Sequence, residues 1–116
     1  IMCCSFLCLS VFSIAASAGV GTASGYLNGT TLYSRCSTGT PTAIPSYYAS
    51  SEASTKKNLK IDIAVMFSGT STYHYDSTGP IYDYATSIAD DSVPVDHMGS
   101  THWVGDEYDF LFADAS

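Results

Sequence analysis

Charge is scarce in this chain. Asp, Glu, Lys and Arg make up 13% of its 116 residues, about half the usual share. No charged residue precedes Arg35, and no Lys or Arg follows Lys60. Phosphate backbones are held by clustered cations, so no nucleic-acid partner is expected. Long solvent-exposed helices need Glu, Lys, Ala and Leu, which the second half of the chain does not supply. The helical H-E-x-x-H pattern, the EF-hand loop, G-x-S-x-G and the glycine-rich phosphate loops are all missing. No C-x-x-C pair meets another, which argues against structural zinc. No cofactor is expected, and no repeat of fixed period stands out.

Ser, Thr, Gly and Tyr fill the space left by charge. Thr, Tyr, Val and Ile favour strands, and Gly, Ser and Asp favour the turns between them. The length fits one domain. The formal net charge is −7, and ten of the eleven acids follow Ile61. Solubility through mutual repulsion accounts for this imbalance better than a cationic partner or Ca²⁺ does.

Residues 1–21, "IMCCSFLCLSVFSIAASAGVG", carry no charge. Ala16-Ser17-Ala18 forms an A-x-A site, and the segment resembles a secretory signal peptide ending after Ala18. If retained, about 20 apolar residues form a helix that crosses a bilayer or packs in an assembly. An apolar N-terminal helix ahead of a β-domain resembles pilin-like architecture, with Ser5 standing where bacterial type IV pilins carry Glu. Cys3, Cys4 and Cys8 lie in this segment and Cys36 outside it. In an oxidising compartment Cys36 pairs with one of those three; otherwise all four are buried small hydrophobes. Residues 22–58 read as an irregular Ser/Thr/Pro-rich connection, with a short strand at "TTLYSRC". Asn28-Gly29-Thr30 is an N-glycosylation acceptor.

Residues 59–116 read as the β-rich domain. In "NLKIDIAVMF", Leu59, Ile61, Ile63, Val65 and Phe67 alternate with Lys60, Asp62, Ala64 and Met66, so the first set is assigned to the core. "STYHYDSTGPIYDYATSI" reads as a hairpin turning at Asp76–Pro80, a string of turn formers. "THWVGDEYDFLFA" reads as one final strand, bulged at Gly105. There, Tyr108, Phe110 and Phe112 are assigned to the core, and Glu107 and Asp109 to solvent.

Three constellations are candidates for chemistry or contact. "GDEYDFLF" is similar to the E-x-D-x-x-E strand of family 16 glycoside hydrolases. That likeness implies a nucleophile at Glu107 and a helper at Asp109, but its acid/base position falls on Leu111 or Phe112, which move no proton. His97 and His102, near Asp96 and Asp106, form an outside candidate for a metal site, and Ser100 lies between them. Trp103 with the tyrosines offers rings that stack on sugars or on partner proteins.

The expected fold is a small antiparallel β-sheet or sandwich preceded by an N-terminal apolar α-helix. The expected function is that of a non-enzymatic extracellular or cell-surface structural subunit. It assembles with copies of itself or neighbouring subunits, with a membrane contact available through residues 1–21. The alternative is a secreted carbohydrate-binding or carbohydrate-cleaving module using Trp103, Glu107 and Asp109.

Overall fold

The computed structural model describes residues 19–39, 45–91 and 93–116. Six strands account for 79% of them: β1 (Val20–Leu27), β2 (Thr30–Ser37), β3 (Tyr47–Phe67), β4 (Tyr73–Asp90), β5 (Val95–Val104) and β6 (Glu107–Asp114). All pairings are antiparallel. No helix occurs among the described residues. The expected N-terminal helix lies outside them except for its last three positions, of which Val20 and Gly21 open β1. Residues 22–58, expected to be irregular, carry most of β1, all of β2 and the first part of β3.

Asn28 and Gly29 both adopt positive φ, at 49° and 76°, and join Leu27 to its partner Thr30. That is the two-residue turn whose twist matches that of its strands, and Asn-Gly is its preferred sequence. A second two-residue turn, Gly105-Asp106, joins Val104 to Glu107. Only Gly105 has positive φ there, as in the turn type that starts with glycine. The final segment is therefore two strands, not one bulged strand.

β3 organises the molecule. Along one edge it pairs with β4 from Tyr47 to Met66. Along the other it pairs first with β2, over Tyr47–Ala53, and then with β5, over Leu59–Phe67. The register between β3 and β4 shifts between Glu52 and Lys57 and again between Leu59 and Ile61. Such irregularities bend strands and let one strand serve two sheets. The sheet thus folds over on itself. One half is β1-β2 with the start of β3 and the end of β4, and the other is β6-β5 with the end of β3 and the start of β4.

The Tyr-rich segment does not turn at Asp76–Pro80. It is one strand, β4, and the chain reverses at Ser68–Thr72 instead. Gly79 and Pro80 lie opposite Lys60 alone, between the pairs Ile61–Thr78 and Leu59–Ile81. Pro is tolerated because, among the described strands, β4 pairs only with β3, which leaves an outer edge where no backbone donor is needed.

The two halves enclose one core. Cys36, Tyr47, Ala49 and Ile88 from the first meet Ile61, Ile63, Val65, Val95, Met98 and Ala113 from the second. The expected alternation in β3 holds: Leu59, Ile61, Ile63 and Val65 are buried, and Phe67 packs against the cluster. Opposite β3, the halves meet where β1 approaches β6. A Cβ added at Gly21 would collide with the backbone of Asp114, and one at Gly25 would sit 3.3 Å from the Leu111 side chain.

That seam admits no side chain at position 21. Gly21→Ala is expected to lower stability by about 1–3 kcal/mol or more, as overpacking does. Urea unfolding of the variant against the parent chain measures it.

Candidate functional site

The outer face of the β4-β3-β5-β6 half is where the structure departs most from the sequence reading. Partners directly across antiparallel strands point the same way. Trp103 faces Tyr108, Thr101 faces Phe110, and Gly99 faces Phe112. Across the other edge of β5, Lys60, Asp62, Ala64 and Met66 lie beside Trp103, Thr101, Gly99 and His97. Tyr73 and Tyr75 of β4 extend the Met66 and Ala64 rows. One sheet face therefore carries Tyr73, Tyr75, His97, Trp103, Tyr108, Phe110 and Phe112.

The rings assigned to the core are outside. Tyr108, Phe110 and Phe112 are 60%, 57% and 52% exposed, whereas Leu111 and Ala113 point inward and are buried. The seam explains the inversion. β6 faces Gly21 and Gly25 of β1, and that narrow space holds Leu and Ala but not aromatic rings.

The rings contact one another. Tyr73 Oη lies 2.9 Å from His97 Nε2, and the Phe112 ring centroid is 5.5 Å from that of His97. Trp103 and Tyr108 pack with centroids 4.8 Å apart. The Trp103 Nε1–H donates to Asp62 Oδ2 at 3.3 Å, and Lys60 Nζ lies 3.5 Å from the same oxygen. A Cβ at Gly99 would fall 2.6 Å from the Phe110 ring, so glycine there lets that ring lie flat on the strand. Beside Trp103 is a shallow depression of about 250 Å³ lined by Asn58, Lys60, Pro80 and Gly105.

The other proposed site residues do not converge on this face. Glu107 pairs with the inward-facing Val104, and Asp109 with the inward-facing His102. Both carboxylates therefore lie on the side of β6 opposite Trp103, exposed at its open end. Asp109 also hydrogen-bonds the Phe110 N–H at 2.9 Å. His97 and His102 project from opposite sides of β5, so they cannot share a metal ion. Asn28 is exposed at its turn. Cys36 is a buried free thiol among the described residues, hydrogen-bonded to the Ala113 carbonyl at 3.4 Å. Burial first, then the charge of Asp114, pushes its pKa up to about 12, which leaves it inert as a nucleophile. Its proposed partners Cys3, Cys4 and Cys8 lie outside the described residues.

His102 is held inside. Ser51 Oγ lies 2.9 Å from its Nδ1 and Ser100 Oγ 2.8 Å from its Nε2. A neutral imidazole satisfies both contacts, donating at one nitrogen and accepting at the other. Ser100 and His102 meet because they are two residues apart on one strand, and Ser51 reaches them across the core from β3. The trio has the atoms of a Ser–His nucleophile pair. All three residues are fully buried, however, so no substrate reaches the hydroxyls, and the network is structural.

Compared with protein-family models, curated proteins and solved structures, the chain shows no significant match.

Burial lowers the His102 pKa from 6.5 to about 4. In the unfolded chain this group takes a proton near its ordinary pKa, whereas in the fold it resists. Its effect on stability is absent above that ordinary value and grows as pH falls toward about 4, by the usual linkage. The fold should therefore lose on the order of 3 kcal/mol at most through this group. Denaturant titrations across that window should show the loss, and His102→Gln should flatten the slope.

Proposed function

We propose that the chain is a non-enzymatic, extracytoplasmic structural subunit, built into a surface filament or membrane-associated complex. The observation that carries this reading is the bare aromatic face. Exposed rings on single residues are ordinary, but seven neighbouring aromatic and imidazole side chains on one sheet face are not. Aromatic residues are enriched, and charged residues depleted, at the centres of protein interfaces. Here Lys60 and Asp62 offset one another, while most of the acids lie elsewhere.

Export through a secretory route fits the position of the first strand. β1 opens at Val20, so processing after Ala18 would leave every described strand whole. Retention of residues 1–21 as an apolar helix would add an anchor or a second assembly element. Asn28 projects from an exposed turn, where an attached glycan would meet solvent.

A second reading rests on Trp103. Its ring packs on Tyr108 beside the depression that also holds Asn58 and Lys60. Stacking rings next to an amide and an ammonium group suit a sugar. Glu107 and Asp109 would take no part in it, because they face the other way.

The full-length chain is expected to sediment as a multi-subunit particle whose size grows with concentration. Deleting residues 1–18 separates the contribution of that segment from that of the sheet. A chain that stays monomeric at every concentration, yet binds a glycan array and loses that binding on Trp103→Ala, overturns the assembly reading in favour of the second.

A further inference from the structure

The aromatic face is large enough to decide its own partner. An aromatic side chain covers about 150–250 Å² when fully buried. At exposures of 40% for Tyr73, 72% for Tyr75 and 52–60% for Tyr108, Phe110 and Phe112, the five rings leave about 550 Å² bare. Half-buried His97, Trp103, Met66, Ala64 and Thr101 lie between them and add to that area. The total approaches the roughly 800 Å² per partner of a standard stable interface. It also reaches the upper end of the apolar patches, about 300–600 Å², that monomers leave exposed.

Shape and charge point the same way. Two sheets pack face to face at about 10 Å when both present side chains that interdigitate. In the middle of this face Ala64 and Thr101 are small, while the Phe110 ring covers Gly99, so a narrow trough remains at Ala64 between the Tyr75 ring on one side and the Phe110 and Phe112 rings on the other. A second copy turned by a two-fold axis brings its own ridge of rings over that trough. A chain of net charge −7 repels its copies almost everywhere. On this face the charges are the Lys60–Asp62 pair and Asp114 at the margin, so repulsion is weakest here. Phe110 and Phe112 have no polar atom on their rings, and this suits a protein surface better than a hydroxylated ligand.

We infer that the aromatic faces of two copies pack against each other, making an isologous pair the unit from which the larger assembly is built. This rests on the assembly reading above and assigns its first contact. A two-fold contact closes on itself, so extension beyond the pair uses a different surface.

The test is sedimentation velocity of the full chain under reducing conditions, over a wide concentration range. The parent chain should form dimers or multiples of dimers. Phe112→Lys and Tyr75→Lys each place an unpaired ammonium in the contact and should raise the dimer Kd by about 100-fold or more. Both positions are exposed in the single copy, so near-unchanged thermal unfolding at monomeric concentration shows that the fold is intact. Tyr26→Lys, at a 71% exposed position on the other half of the sheet, should leave the dimer unaffected. If the parent assembles and both face variants assemble equally well, the contact lies elsewhere: this inference fails and the assembly reading stands. If the parent is monomeric throughout, both fail.

Discussion

One strand shared by two half-sheets sets everything else. Over Tyr47–Ala53 β3 pairs with β2, and over Leu59–Phe67 with β5, while β4 follows the opposite edge through both. A straight β3 would make a flat, open sheet with one apolar face in water. The register shifts let it bend, and the bend brings the two inner faces together. Burial of Leu59, Ile61, Ile63 and Val65 then becomes available, at about 1.5–3 kcal/mol for each large aliphatic side chain removed from water. The seam of β1 on β6 follows from the same fold-over, and with it the glycines that let those strands approach.

The bend also separates two chemistries. Inside, the apolar cluster is accompanied by Thr30, Ser34, Ser51, Ser100 and His102, all fully buried. His102 is tolerated there because two hydroxyls occupy both of its nitrogens, and a buried polar group costs little only when paired. The Ser34 hydroxyl finds no partner among the described residues. Outside, one half presents Thr22, Ser24, Thr31 and Arg35 around the half-buried Tyr33 and Tyr48 and the exposed Tyr26, and the other presents a field of exposed rings. The contrast between the two outer faces, more than any single residue, is what supports the contact surface proposed for one of them.

Sequence patterning revealed part of this. Strict alternation from Leu59 to Phe67 named a strand and its buried side correctly, because both pairings of β3 run without a register shift from Ile61 to Met66. "TTLYSRC" was legible as a strand for the same reason. Asn28-Gly29 carried a hairpin signal stronger than its glycosylation motif, and the Ser/Thr-rich surroundings obscured it. At Asp76–Pro80 a cluster of turn formers proved to be an irregularity in an edge strand. Local composition cannot separate those outcomes, since both need Gly with positive φ. At β6 the division into two faces was right and the inside was reversed. Ring hydrophobicity argued for burial, and the space beside β1 decided against it. The alternating small residues Gly21, Ala23 and Gly25 were the available clue. The convergence of Ser51 on His102 spans half the chain and leaves no local trace.

β4 has a consequence of its own. Eighteen residues long, it presents a backbone edge that hydrogen-bonds no neighbouring strand among the described residues, and it contains neither Lys nor Arg. Edges of this kind recruit stray strands from other chains unless something interrupts them. Gly79-Pro80 breaks the run of donors near its middle, and Asp76 and Asp83 place negative charge to either side. By that rule these residues act as gatekeepers against strand addition along a long, open margin.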